Sequence, residues 1–310
     1  MHGMRRQRTL KSVVRTSGVG LHTGERVDLV LCPAALDQGI RFVRSDLPGR
    51  PSVQARMDRV TDTRLSTLIE EGPARVSTIE HLMSALAGLG VDNATIEISG
   101  PEVPILDGSS APFVFLIQTV GMVEQEGLRR YLRILEPMEV RQGDKVARFE
   151  PYDGFRLTYE GHFEHPAIQA TGSAVTIDFS RTSYVREVSR ARTFGFTRDV
   201  EYLRNQGLAL GGSMDNAIVM DEYRILNAEG LRYADEFLRH KILDAVGDLY
   251  LLGHPLIGAF TGIKSVHALN NVAARALWER RDAWDWVTLA PNEPAPSAFI
   301  EPLPKPQSAF

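Results

Sequence analysis

Cysteine is nearly absent from these 310 residues, Cys32 being the only one. A single thiol excludes an internal disulfide framework and a cysteine-rich zinc site, and it fits a reducing compartment. Cys32 itself reads as a small buried strand residue ahead of Pro33. Long apolar runs are missing too: no stretch approaches the ~18 apolar residues that a membrane-crossing helix requires. The basic start MHGMRRQRTL leads into polar residues where an export signal would turn apolar. The chain is therefore expected to be cytoplasmic, with Met4 as the natural start. Nor is there an excess of positive charge, since 35 Lys and Arg face 39 Asp and Glu for a formal net charge of −4. That balance gives no general pull toward nucleic acid, and no nucleic-acid partner is expected. What remains, 43% apolar and 24% charged residues, is the composition of an ordinary globular enzyme in a length that suits two domains.

Apolar and polar residues alternate on both sides of Gly18–Gly24 in RTLKSVVRTSGVGLHTGERVDLVLCPA, which predicts two strands joined by a glycine-rich turn. No helical pattern follows those glycines, so a phosphate-binding loop is not favoured. His22 lies in the turn, expected to be exposed, and is open to two readings: a spare surface group or part of a site. The segment VSTIEHLMSALAGLGVDN has a helical period in Ile79, Leu82, Met83, Leu86 and Leu89 that ends at Gly88 and Gly90. The strand ATIEIS and an apolar helix around Phe113–Val120 follow. Strand-like patterns restart near residue 128 with YLRILEPMEV, KVARFEP, FRLTYEGHF and AVTIDFS, and LIGAFTG and a helix VAARALWERR come later. Each half thus carries strands and one helix with a histidine near its front, which suggests a duplicated unit. The expected division is residues 4–127, residues 128–282, and a proline-rich extended tail over 283–310.

The most informative segment is RYADEFLRHKILDAVGDLY, in which Glu236, His240, Asp244 and Asp248 recur at every fourth position. On a helix they share one face, opposite Leu238, Ile242, Ala245 and Leu249. Side chains four apart lie roughly 5–6 Å from each other, and zinc bonds to nitrogen or oxygen are about 2.0–2.2 Å, so His240 and Asp244 can hold one ion together. The competing reading is a solvated polar face with Arg239 and Lys241 as counter-charges. Glu80 and His81 form a second cluster, again with two readings. Ser77-Thr78-Ile79-Glu80 fits a capping box, in which Glu80 merely starts a helix. Alternatively, His81 joins His240 and Asp244 as the third ligand of a hydrolytic zinc site, with Glu80 beside it as a base that does not bind the ion. His267, predicted between a strand and a helix start, is a candidate acid that Asp248 would orient and charge. His162, His165 and His254 read as loop histidines.

Together TIEHLMSALAGLGVDN, APFVFLI, SRARTFGFTRDVEYL, EFLRHKILDAVGDLY and GAFTGIKSVHALNN resemble the family of UDP-3-O-acyl-N-acetylglucosamine deacetylases, in the same order and over nearly the whole chain to about residue 272. The resemblance implies an α+β fold of two similar domains, each a sheet layered with helices, facing each other across a zinc cleft. It implies zinc on His81, His240 and Asp244, with ferrous iron accepted by the same ligands. Glu80 would be the general base, His267 the acid protonating the departing amine, and Asp248 the residue that tunes it. Thr193 would stabilise the oxyanion and Phe194 pack on the glucosamine ring. Lys241 would contact the substrate beside the metal and Lys264 meet its diphosphate, with His22 as a further substrate contact. An apolar passage for the acyl chain is expected near Phe196, Leu203 and Leu208. The implied reaction is hydrolytic deacetylation of UDP-3-O-(3-hydroxyacyl)-N-acetylglucosamine, the committed step of lipid A synthesis, by a monomer. Rival readings are a zinc amidohydrolase acting on another N-acylated amine and a non-catalytic nucleotide- or lipid-binding module. One departure concerns the acid: where the family motif commonly reads Lys-Ser-Gly-His, Val266 precedes His267. A β-branched residue takes a positive φ at high cost, so a differently shaped turn is expected there.

Overall fold

The computed structural model describes residues 5–290, apart from His162 and Arg181. Among them are seven helices: α1 (Glu80–Leu89), α2 (Ala111–Val120), α3 (Pro166–Gln169), α4 (Tyr184–Glu187), α5 (Thr197–Asn205), α6 (Glu236–Tyr250) and α7 (His267–Glu279). The fold is mixed α+β. In the first half a five-stranded sheet runs Val14–Val19, Arg26–Pro33, Ala94–Ile98, Ile40–Arg44, Ser52–Gln54 in spatial order. A three-stranded sheet of Val60–Asp62, Leu68–Glu71 and Ala74–Val76 stands apart from it. The second half builds a seven-stranded sheet around Leu256–Ile263, which pairs antiparallel with Lys145–Glu150 and parallel with Phe155–Glu160 and Arg130–Ile134.

The hairpin around Gly18–Gly24 forms as its alternation requires, with Gly18 opposite Val27. Arg6–Leu10 leaves that pattern and pairs with Met122–Leu128 instead. The two halves repeat one motif. In each, a buried helix is followed by a central strand that is antiparallel to one neighbour and parallel to another: α1 then Ala94–Ile98, α6 then Leu256–Ile263. Of the tail expected over 283–310, residues 283–290 are among those described, and there Trp284–Thr288 is a strand antiparallel to Arg130–Ile134. Alternating Trp284 and Trp286, with Trp278 of α7 beside them, give that stretch the aromatic pairing that a strand favours. The prolines begin at Pro291, outside the described residues, as does His162.

The two long buried helices are what place the site. Every residue of α1 is buried, and so is every residue of α6 except Arg239 and Lys241. A helix buried on nearly all sides must lie between layers rather than on a surface. The two pack on each other, α6 also lying on α7 and on the strand Phe155–Glu160, while α1 also touches α2 and α4. The chain leaves α1 through Gly90, whose left-handed φ of 70° suits a residue without a Cβ. Across the seam the Tyr250 hydroxyl donates to the Val91 carbonyl at 2.6 Å. The fully buried Arg129, which links the halves, donates to Asp92 at 2.9 Å.

Gly247 sets how closely the helices approach, since a Cβ built there would lie 2.1 Å from the carbonyl oxygen of Glu80. In an isolated helix Gly247→Ala would gain about 1 kcal/mol. Here the clash is with backbone, which no rotamer change relieves, and overpacking costs about 1–3 kcal/mol. Gly247→Ala is therefore expected to lower the unfolding midpoint by a few degrees in thermal melts, despite its better helix propensity, and a midpoint at or above that of the parent chain would show that the approach is not tight.

Candidate metal centre and acid–base site

His81, second residue of α1, meets His240 and Asp244, one turn apart on α6. Asp244 Oδ1 lies 3.4 Å from His240 Nε2 and 3.6 Å from His81 Nε2. The two imidazoles are 5.0 Å apart at 83°. All three residues are buried, and one donor atom from each lies within 4.8 Å of the others. Asp244 Oδ2 accepts from Lys241 Nζ at 2.8 Å, but Oδ1 is buried without any hydrogen-bond donor. A buried carboxylate oxygen left unpaired costs roughly 1–3 kcal/mol or more.

His240 does not relieve that cost as a donor. His240 Nδ1 faces the Ala191 carbonyl at 3.0 Å; a carbonyl only accepts, so the proton sits on Nδ1 and Nε2 presents its lone pair. Burial holds the His240 pKa down to about 3, so the ring is neutral. Burial works against charge on Asp244, yet its charged neighbours, the Lys241 ammonium in direct contact among them, outweigh it and hold the carboxyl well below its usual range. Two imidazole nitrogens and a carboxylate oxygen converge on one point, a set of atoms that suits a divalent cation and leaves a tetrahedral ion one position open.

The stripe on α6 is thus buried, and the reading of it as a solvated face is wrong. Tertiary packing covers it, and Arg239 turns away to Asp235 and Glu187. Glu236 has a different task from its three partners. Its carboxylate accepts from the Arg192 Nε at 2.9 Å and the Arg192 amide at 3.0 Å, which holds the segment carrying Ala191 and Thr193.

Next to these three residues, Glu80 and His267 face each other with Glu80 Oε1 3.9 Å from His267 Nε2. Glu80 Oε2 accepts the Thr67 amide at 3.0 Å, while the Ser77 hydroxyl donates to the Pro101 carbonyl. The capping box is accordingly not formed: each partner it needs is bonded elsewhere, and Glu80 points into the site. Burial raises the Glu80 pKa, with His267 and His81 opposing. His267 Nδ1 donates to Asp248 Oδ2 at 2.8 Å. Burial alone would lower the His267 pKa, but Asp248 and Glu80 outweigh it and raise it to about 10. The site therefore holds a carboxyl inclined to take a proton beside an imidazolium able to give one. Val266 avoids the positive φ that a β-branched residue takes at high cost. Its φ is −135°, ordinary extended backbone, and the positive φ of the turn falls on Lys264 at 49°.

Thr193 and Phe194 lie beside this centre, the Phe194 ring 6.2 Å from the His240 ring and 5.5 Å from Lys241 Nζ. Both line a mainly apolar cavity of about 540 Å³ together with Leu21, Phe196, Val200, Leu203 and Met214. Leu208 lines a neighbouring cavity of about 620 Å³ with Leu203, Arg64 and Tyr202. His22 borders both. It is half-buried rather than exposed, because Glu102 accepts the amides of His22 and Thr23 and pins the turn inward. Both its ring nitrogens are sealed without a partner, and burial lowers its pKa. Lys264 is partly exposed and pairs with the exposed Asp144 at 2.5 Å. Of the other histidines, His254 is packed on Trp286 and His165 is buried against Phe196. Thr67 and Asn270, both bonded to Asp248, escaped the sequence reading, for neither sits at a spacing that marks it.

Residues 7–279 match the family model described as LpxC, UDP-3-O-acyl N-acetylglycosamine deacetylase. Among curated proteins the chain is 57% identical to the UDP-3-O-acyl-N-acetylglucosamine deacetylase of Thioalkalivibrio sulfidiphilus (strain HL-EbGR7), over 97% of this chain and 99% of the relative. It is 56% identical to the protein of the same name from Methylococcus capsulatus, again over 97% and 99%. The Xanthomonas campestris pv. campestris protein of that name is 55% identical over the same shares.

Removing one of three ligands should weaken a metal site by more than the 10–100-fold that follows loss of an outer hydrogen bond. His81→Ala is expected to lose bound dication on dialysis in metal analysis, whereas retention of one equivalent would show that these three residues do not form the site.

Proposed function

The chain belongs to the UDP-3-O-acyl N-acetylglycosamine deacetylase family, and from that premise we propose how its residues divide the work. The reaction is hydrolysis of the N-acetyl amide of UDP-3-O-acyl-N-acetylglucosamine, releasing acetate and the free 2-amino sugar nucleotide in lipid A biosynthesis. His81, His240 and Asp244 hold zinc. The observation that carries this reading is the buried, unpaired Asp244 Oδ1 facing two imidazole nitrogens. When bound, the ion supplies Lewis acidity toward the amide carbonyl and makes water more acidic.

Glu80 takes the proton from the attacking water. Its raised pKa supports the role, because a base works best when its pKa lies near the working pH. His267, charged through Asp248, gives a proton to the sugar nitrogen as the C–N bond breaks. Thr193 donates toward the oxygen that becomes negative. Phe194 stacks on the sugar, and Lys241, half-buried and bonded to Asp244, contacts the substrate. The apolar cavity behind Thr193 and Phe194, within the 300–1,000 Å³ range of ligand sites, takes the acyl chain. Lys264, reached by exchange of its exposed Asp144 partner, meets the diphosphate, and His22 contacts substrate where the two cavities meet.

Glu80→Ala is expected to keep its metal while turnover falls roughly 10²–10⁴-fold, measured on substrates with and without the 3-O-acyl chain. Equal rates on the two substrates would point to a general amidohydrolase. For Asp248→Asn the sign is fixed by charge: losing the carboxylate lowers the His267 pKa. The basic limb of its pH–rate profile should therefore move to lower pH, by about one unit or more, and an unmoved limb would contradict the pairing.

A further inference from the structure

We propose that Thr67 is a positioning residue that couples the base to the acid. It rests on the reading of Glu80 as base and of the Asp248–His267 pair as acid. Thr67 is 2% exposed and lies just before the strand Leu68–Glu71, in the first half of the chain. Its amide donates to Glu80 Oε2 at 3.0 Å, and its hydroxyl donates to Asp248 Oδ1 at 2.6 Å. Its carbonyl accepts the Ile79 amide, one residue before Glu80. Every polar group of this residue is thus spent on the acid–base pair or on the backbone that presents it.

The direction of the hydroxyl bond is settled by its partner, because a carboxylate accepts and the hydroxyl is the group with a proton to give. Asp248 then has three donors. Thr67 holds Oδ1, while His267 Nδ1 and the Asn270 amide share Oδ2 at 2.8 and 2.9 Å. Asn270 is in turn fixed by the Ser265 hydroxyl. With Oδ1 pinned from across the seam, the carboxylate cannot rotate, and Oδ2 stays aimed at His267, whose Nε2 faces Glu80. Asp248 comes from α6 and Glu80 from α1; Thr67 touches both carboxylates from a third element. A shift of either helix therefore moves the other group's support as well.

Thr67→Val keeps the shape and the amide bond to Glu80 and removes only the hydroxyl. A short bond to a carboxylate is of the stronger, charge-assisted kind, so kcat is expected to fall about tenfold, with KM within about twofold and metal content unchanged. Thr67→Ser should restore kcat to within about threefold. The deciding measurement is a double-mutant cycle with Asp248→Ala. If Thr67 acts through Asp248, adding Thr67→Val to Asp248→Ala costs nothing further. Fully multiplicative losses, a wild-type kcat in Thr67→Val, or a Thr67→Ser as slow as the valine variant would each overturn the proposal. Should the valine variant prove too unstable to purify, Thr67→Ala goes through the same cycle under the same criteria. An Asp248→Ala enzyme with undiminished turnover would instead remove the acid assignment on which the proposal rests.

Discussion

The contact between the Glu80 carbonyl and Gly247 governs the rest of this molecule. Two helices from distant parts of the chain can bring side chains to a common point only if their backbones come unusually near. Here the near point falls at the residue beside His81 and three residues after Asp244. Glycine at 247 sacrifices helix propensity for that proximity. The approach sets His81 against His240 and Asp244, and Glu80 against His267. Separating the helices by the width of a methyl group would pull both pairs apart.

The same burial that closes the seam sets the protonation states. Desolvation disfavours charge on every group, but not equally, because each has a different set of neighbours. His240 has a carbonyl behind it and becomes neutral. His267 has Asp248 behind it and stays charged despite the same dry surroundings. Two imidazoles of the same buried region thereby differ in charge, one neutral and one protonated. Glu80, with few compensating donors, is pushed toward holding a proton. Asp244 is held ionised by its neighbours and left with one oxygen unsatisfied.

Much of this was legible beforehand, and the misses have physical causes. The period of Ile79 to Leu89 and the fourfold stripe on α6 are strong signals because a buried helix needs apolar residues at regular angles. Alternation identified the hairpin around Gly18–Gly24 for the same reason. The short strands Ser52–Gln54 and Leu68–Glu71 carry too few residues to show a period, and Thr67, at the edge of one of them, was invisible with it. The Ser77–Glu80 capping box is a local pattern defeated by non-local competition, since the Thr67 amide reaches Glu80 first. Val266 keeps an extended φ and the positive φ of the turn falls on Lys264; which residue of a turn bends is not written in its composition.

The chain's own order of residues determined which side chains share a face of α1 and of α6, since helical geometry is local and needs nothing beyond 3.6 residues per turn. It also determined that no disulfide or membrane-crossing helix was available to organise them. What only the tertiary structure decided is which of those faces meet, that Asp244 Oδ1 is left facing two imidazoles, and that Glu236 serves Arg192 rather than a metal. Those outcomes depend on contacts between segments well separated along the chain, where desolvation and charge act through space and spacing along the chain carries no information.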